Sequence, residues 1–202
     1  MGVRRPVTRV RARLESLNCD GVYGLALLLV CLALFSLVLT GEGGRLALRY
    51  ERGALAAGEA WRLVSAHLVH LNPRHALVNV LGLALLWVLF ARDYSPRQWL
   101  LIIIAAALAI DAGLWLLDST VRWYVGSSGV LHGVLAAGAL AWVRQGQKEG
   151  WLLVLGLAGK LAYEHWVGPL PLSGDIPVVR SAHLFGVLGG TLAALPLRPR
   201  PL

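Results

Sequence analysis

Residues 126 to 133, Gly126-Ser127-Ser128-Gly129-Val130-Leu131-His132-Gly133, set a hydroxyl between glycines where a polar segment turns hydrophobic, with a histidine one turn further on. A serine hydroxyl is a poor nucleophile until a base takes its proton, and histidine has a pKa suited to that exchange near neutral pH. His183, in Ser181-Ala182-His183, is the candidate base for Ser128. Attack on a peptide carbonyl creates an oxyanion that needs aimed donors, each worth about 3 to 4 kcal/mol. The His75 ring N–H, the Asn79 amide and the backbone N–H of Ser128 are candidates for that work. Glycines at 126 and 129 would let a substrate backbone approach the nucleophile. Small residues also serve plain helix packing, so the elements that carry these side chains decide between the two readings.

Those elements read as membrane helices. The chain has 202 residues, of which 57% are hydrophobic and 15% charged, with a mean hydropathy of +0.64, too much apolar sequence for one soluble core. Apolar runs fall at 21–41, 75–91, 98–117, 128–144, 149–167 and 181–197, each near the length that crosses a ~30 Å hydrocarbon core. The expected fold is therefore an all-α membrane protein with a six-helix bundle over 21–197, a basic segment at 1–20 and a short tail at 198–202. The first run is too long for a signal peptide and lacks a cleavage pattern, so it is expected to remain as a span. The formal charge of +8 lies mainly beside the apolar runs, which points to membrane orientation rather than to nucleic acid. Cys19 and Cys31 are not placed to bond, and no disulfide is expected.

Orientation follows from the basic residues. Arg4, Arg5, Arg9, Arg11 and Arg13 precede the first run, and Arg92, Arg97, Arg144, Lys148, Arg198 and Arg200 fall on the same side. That side is expected to be cytoplasmic, with both termini on it. The loop at 42–74 works against the count, since it holds Arg45, Arg49, Arg52, Arg62 and Arg74. With Trp61 and three glutamates, it is expected to be partly ordered in the interface. Spans 2, 4 and 6 then all start near the outer surface. His75 and Asn79, four apart, share one helix face, and they reach the same depth as Ser128 and His183. Gly186 and Gly190 allow span 6 to approach span 4 closely. Polar groups converging at that depth mark a functional site.

On these residues the chain resembles the rhomboid family of intramembrane serine proteases. The carrying motifs are Trp61-Arg62, the His70, His75 and Asn79 pattern, Gly126-x-Ser128-Gly129, and Ala182-His183-x-x-Gly186-x-x-x-Gly190, spread over residues 61 to 195. The resemblance implies Ser128 as nucleophile, His183 as general base in a dyad without a carboxylate, and His75 and Asn79 as oxyanion donors. It also implies a six-helix core with a cavity open to the outside. One position departs from the family, which usually has a tyrosine where His132 stands. With His132, the motif is similar to that of rhombosortases, bacterial rhomboids that process exported proteins bearing a C-terminal Gly-Gly sorting tail. The implied partners are the lipid bilayer and such a membrane-anchored substrate, and the implied location is the bacterial inner membrane with the site open to the periplasm.

Other polar residues have alternative uses. Lys160 and Glu164, four apart in span 5, can form a structural ion pair or take part in substrate recognition. Asp111 in span 3 needs a partner across the bundle. His67, His70 and His75 invite a zinc site, but no metalloprotease motif accompanies them, and no metal or cofactor is expected. Trp115, Trp123, Trp142, Trp151 and Trp166 read as interfacial anchors. A non-catalytic rhomboid-like protein that binds membrane helices is the first alternative function, with intact Ser128 and His183 against it. A small transporter is the second, and no inverted repeat supports it.

Overall fold

Short polar caps and prolines decide where the long helices begin. The computed structural model describes residues 24–169 and 178–200. The basic segment at 1–20, Cys19 and the last residues of the tail lie outside the described residues. Helix α1 (Gly24–Ser36) runs through a 3-10 turn at Leu37–Thr40 into α2 (Gly41–Leu48), with a free Cys31 on α1. The 42–74 loop is ordered by α2 and by two further short helices, α3 (Arg52–Ala56) and α4 (Arg62–Ser65). Strand β1 (Tyr50–Glu51) pairs antiparallel with β2 (Trp123–Tyr124), Tyr50 opposite Tyr124.

The second expected span begins earlier than its apolar run because Asn72 caps it. In α5 (Pro73–Phe90) Asn72 Oδ1 accepts the His75 N–H at 2.8 Å, and Pro73 occupies the first turn, where a missing N–H costs nothing. The same logic starts α6 (Pro96–Leu116) before residue 98. Ser95 Oγ accepts the Gln98 N–H while Gln98 Oε1 accepts the Ser95 N–H, a reciprocal capping box. Three longer helices complete the order: α7 (Ser128–Arg144), α8 (Lys148–Trp166) and α9 (Arg180–Ala194), the last stopping two residues before Pro196. Among the described residues, Gly24–Leu48, Pro73–Phe90 and Pro96–Leu116 are long and apolar enough to cross a membrane, and Ser128–Arg144 is a shorter apolar helix. The later helices give up apolar character to glycine and to the polar groups of the site.

The packing is inverted relative to a soluble protein. Large side chains such as Leu81, Leu85, Leu108 and Leu155 are exposed, while many of the fully covered positions are alanines, including Ala106, Ala137, Ala139, Ala141, Ala182 and Ala194. Helix association in lipid has no water-driven term and depends on close approach of small residues. Helix α9 packs mainly between α6 and α7. A Cβ at Gly133 would lie 2.5 Å from Gly186 O, and one at Gly186 or Gly190 would run into Gly129 O or Gly133 O. On the α6 side, a Cβ at Gly189 would lie 2.6 Å from Ala105 O. One apolar cluster near the start of α7 holds Tyr50, Ile110, Leu114, Tyr124, Val130 and Ala182, and a second near its far end holds Tyr94, Ile102, Ala137, Ala141 and Ala194.

At that far end, the buried Asp93 carboxylate accepts Trp142 Nε1–H at 3.0 Å and Gln145 Nε2–H at 3.1 Å, tying the α5–α6 turn to α7. Trp142 also meets Phe90 edge to face at 5.0 Å. It therefore braces the bundle rather than serving as the interfacial anchor that its position in the sequence suggests.

These contacts make a specific forecast. Gly186→Ala should cost about 1–3 kcal/mol of folding stability, because the added methyl meets backbone that cannot yield. Gly159→Ala, where a Cβ finds nothing within 4 Å, should be neutral or stabilise α8 by up to about 1 kcal/mol. Thermal unfolding of both variants in detergent measures the contrast.

Candidate active site

Ser128 is the first residue of α7, so its N–H has no acceptor inside the helix and remains available. The turn that leads into it is held from several sides. Gly126 N–H donates to Ala66 O at 2.8 Å, Tyr124 O–H donates to Gly126 O at 2.5 Å, and Ser127 Oγ–H donates to Asn79 Oδ1 at 3.3 Å. Gly126 has φ +109°, a conformation open to glycine. A Cβ there would lie 2.7 Å from His75 Cε1 and 3.0 Å from Nε2. At Gly129 a Cβ would lie 2.7 Å from Ile110 Cδ1 and 2.9 Å from Ala182 O. Both glycines thus make room for groups of the chain itself.

His75 and Asn79 share a buried face of α5, as their spacing requires. Leu71 N–H donates to His75 Nδ1 at 3.3 Å, so this nitrogen is the acceptor and Nε2, on the side of Gly126, carries the hydrogen. Asn79 Nδ2 donates to His75 O at 2.9 Å and keeps a second amide hydrogen. Together α5 and the 125–127 turn set two side-chain donors beside the start of α7.

His183 comes from the first turn of α9, and its Nε2 lies 3.1 Å from Ser128 Oγ. Hydroxyl and imidazole are within hydrogen-bond reach although 55 residues separate them. His132 lies one turn after Ser128 on α7, and its ring stacks on that of His183 with centroids 4.1 Å apart and planes 18° from parallel. His132 Nδ1 is 2.6 Å from Ser128 O; a carbonyl only accepts, so Nδ1 donates and Nε2 is left as an acceptor. Lys160 Nζ meets that Nε2 at 2.6 Å.

Helix α8 brings further groups to the far side of His183. Lys160 Nζ pairs with Glu164 Oε2 at 2.7 Å, and the same oxygen lies 2.9 Å from His183 Nδ1. Lys160 Nζ is also 2.9 Å from His183 Nδ1. The dyad implied by resemblance therefore has a carboxylate next to it. The i, i+4 spacing announced the Lys160–Glu164 pair, but nothing in it revealed that the inner face of α8 turns toward α9.

The remaining polar residues of the first loop have separate partners. Asp111 Oδ1 meets His67 Nε2 at 3.3 Å, the cross-bundle partner that sequence alone left unnamed. His70 Nε2 lies 3.4 Å from Ser127 Oγ, and its ring meets that of His75 edge to face at 5.2 Å. His67, His70 and His75 thus have different polar partners instead of converging on one point. Arg62 anchors the loop, donating to Leu46 O and Arg49 O at 2.7 and 2.9 Å and to Glu59 at 2.7 Å. Burial, reinforced by the charge of His75, pushes the His70 pKa down to about 4.

The family profile of the Rhomboid domain matches residues 57–200, and the chain belongs to this family. It is similar to the "Rhomboid protease GluP" of Bacillus subtilis (strain 168), 27% identical over 153 residues that cover 73% of this chain and 28% of that protein. The chain thus spans less than a third of the length of that relative. No solved structure matches the chain.

His70 carries a pH signature. The unfolded chain takes up its proton near pH 6.5 and the folded chain only near 4, so stability is lost as the pH falls through that window. His70→Gln should flatten the fall in unfolding temperature between pH 6.5 and 4, as a thermal melt series in detergent would register.

Proposed function

We propose that this chain is an intramembrane serine endopeptidase in which Ser128 is the nucleophile and His183 its general base. The observation that carries the reading is the 3.1 Å approach of Ser128 Oγ to His183 Nε2 across two helices. Membership of the rhomboid family, and a relative described as a rhomboid protease, support the same class.

In this mechanism Ser128 Oγ attacks the carbonyl carbon of the scissile bond while its proton passes to His183 Nε2. The carbonyl oxygen becomes an oxyanion, which the Ser128 N–H, His75 Nε2–H and the Asn79 amide would stabilise. Collapse of the tetrahedral intermediate breaks the C–N bond, and the leaving amine takes the proton from His183. Water then gives a proton to His183 and attacks the acyl carbon. Release of the carboxylic product returns the proton to Ser128. No cofactor or metal takes part.

The finer reading is a rhombosortase, and its support is His132 within Gly126-x-Ser128-Gly129-x-Leu131-His132-Gly133. The substrate is then an exported protein with a C-terminal membrane helix entered by a Gly-Gly pair at its outer end. A bond inside a helix is shielded by its own hydrogen bonds, and two glycines cost about 2 kcal/mol of helix propensity, which helps that segment unwind. The accompanying layout is a protease domain at 21–197 with six spans, between a basic segment at 1–20 and a tail at 198–202. It lies in a bacterial inner membrane, both termini cytoplasmic, with the site open to the periplasm.

A fluorophosphonate probe separates these readings, because only an activated serine is labelled. Wild-type protein should label and the Ser128→Ala and His183→Ala variants should not, while Ser127→Ala should label nearly as well as wild type. An unlabelled wild type would favour a non-catalytic helix-binding protein or a transporter. His75→Ala and Asn79→Ala should each lower turnover about ten- to a thousandfold with a smaller change in KM. For the sorting reading, a reporter fused to a Gly-Gly tail should be cleaved and its Leu-Leu counterpart spared. Equal, Ser128-dependent cleavage of both would leave a protease without that specificity.

A further inference from the structure

We infer that Glu164 is a third member of the catalytic group, a positioning residue that holds the His183 ring in the tautomer able to accept the Ser128 proton. The inference deepens the protease reading and rests on it for its catalytic meaning. Its physical content does not, since it concerns which ring nitrogen of His183 carries the hydrogen.

Three side chains from two helices surround His183 Nδ1. Glu164 Oε2 and Lys160 Nζ, both from α8, each lie 2.9 Å from it, and His132 of α7 stacks on the ring face. On the other edge, Nε2 faces Ser128 Oγ, and the start of α5 contributes His75 on that side of the site. Arg180, at the start of α9, is engaged elsewhere: its guanidinium donates to the backbone oxygens of Glu164 and His165 at 2.9 and 3.3 Å.

A carboxylate only accepts hydrogen bonds. Were Nδ1 unprotonated, its lone pair would face an anionic oxygen at 2.9 Å. The Glu164 side chain is 3% exposed and has no solvent to compensate for that contact, and its other side-chain donor among the described residues is Lys160. Lys160 is placed differently. Its side chain is 20% exposed, and of its three hydrogens one goes to Glu164 Oε2 and one to His132 Nε2, so the ammonium is paired without a bond to Nδ1. Nδ1–H···Oε2 is therefore the arrangement that satisfies the buried anion, and it leaves the Nε2 lone pair directed at the Ser128 hydroxyl. As Nε2 takes the serine proton, the imidazolium keeps its Nδ1–H on Glu164, which remains ionised throughout. Lys160 holds the carboxylate in place and locks the His132 ring, whose other nitrogen is tied to Ser128 O. Helices α7 and α8 thus clamp the base from its face and its rear edge.

The test uses the full chain in detergent, labelled with 15N-histidine. At pH 8 the His183 spectrum, identified by its loss in a His183→Asn variant, should show a protonated Nδ1 and an unprotonated Nε2. Protonation on Nε2 would overturn the inference, whatever the activity. Kinetics give the second arm. Glu164→Gln can offer its amide N–H to Nδ1 and so impose the wrong tautomer. It should lower kcat about 10²- to 10⁴-fold with KM within about twofold, and Glu164→Asp should recover part of the loss. Glu164→Gln with wild-type kcat, and only a lower unfolding temperature or a raised KM, would make the pair a structural or substrate-recognition element and overturn the inference. Should the glutamine variant fail to fold, the wild-type tautomer decides. A wild type inert to fluorophosphonate with Nδ1 protonated would sink the protease reading and, with it, the catalytic role of Glu164.

Discussion

Backbone-to-backbone contact between α7 and α9 is the constraint on which the site depends. Ser128 and His183 sit on the first turns of two different helices, and a 3.1 Å separation requires those helix axes to approach more closely than ordinary side chains allow. Gly129, Gly133, Gly186 and Gly190 remove the obstacle, each set against a carbonyl on the facing helix. The attraction gained is dispersion over many small contacts. The polar groups add little to that association and much to its outcome, since each must find a partner at a depth where water is scarce. Helix α6 backs α9 from the other side through Gly113, which receives the Phe185 ring, and through Gly189. His183 is thereby buttressed on one side by a packed helix pair and on the other by the charged face of α8.

Much of this was legible in the sequence, for identifiable reasons. Lengths of apolar run and helix-cap residues locate the long helices to within a few residues, and the differences at Asn72 and Ser95 come from caps whose chemistry outranks hydropathy. The spacing of four between His75 and Asn79, and between Lys160 and Glu164, predicts a shared face because helix geometry alone sets it. What spacing cannot supply is the rotation of one helix against another. The contacts of Glu164 with His183, His67 with Asp111, and Ser127 with Asn79 each join separate elements. Gly126 and Gly129 show the same limit: a glycine announces space, and the fold adds that His75, Ile110 and Ala182 lie where a side chain would go.

The arginines show a related effect. Counted along the chain, they give an expected side of the membrane for each loop, and the 42–74 loop works against the count. Several of the contrary residues act as donors to exposed helix ends. Arg52 donates to Leu114 O and to Trp115 O at the end of α6, and Arg180 to Glu164 O and His165 O at the end of α8; Arg144, which agrees with the count, does the same for Ala194 O and Leu197 O at the end of α9. The last carbonyls of a helix have no internal donor, and that end of the helix dipole favours a cation. Arg45, donating to Leu71 O at 2.8 Å, holds the chain just before α5. Basic residues that answer a local need of the backbone carry less information about topology, and long loops count for less in the charge rule in any case.

Helix α8 offers a different lesson in how a helix finds its angle about its own axis. Trp151, Leu152, Leu155 and Trp166 lie exposed on one side, Gly156 and Gly159 touch nothing nearby, and apolar contacts of this kind discriminate poorly among rotations. Lys160 and Glu164 do discriminate. A turn of about 100°, the step between neighbouring residues of an α-helix, would swing both charges away from His132 and His183 and break a buried charged pair from its partners, at a cost of about 3 kcal/mol or more. The pair therefore works like the key on a shaft: two charged residues set the azimuth of an otherwise greasy cylinder, and a single residue inserted or deleted between Trp151 and Lys160 would mis-set it without altering the apolar length of the helix.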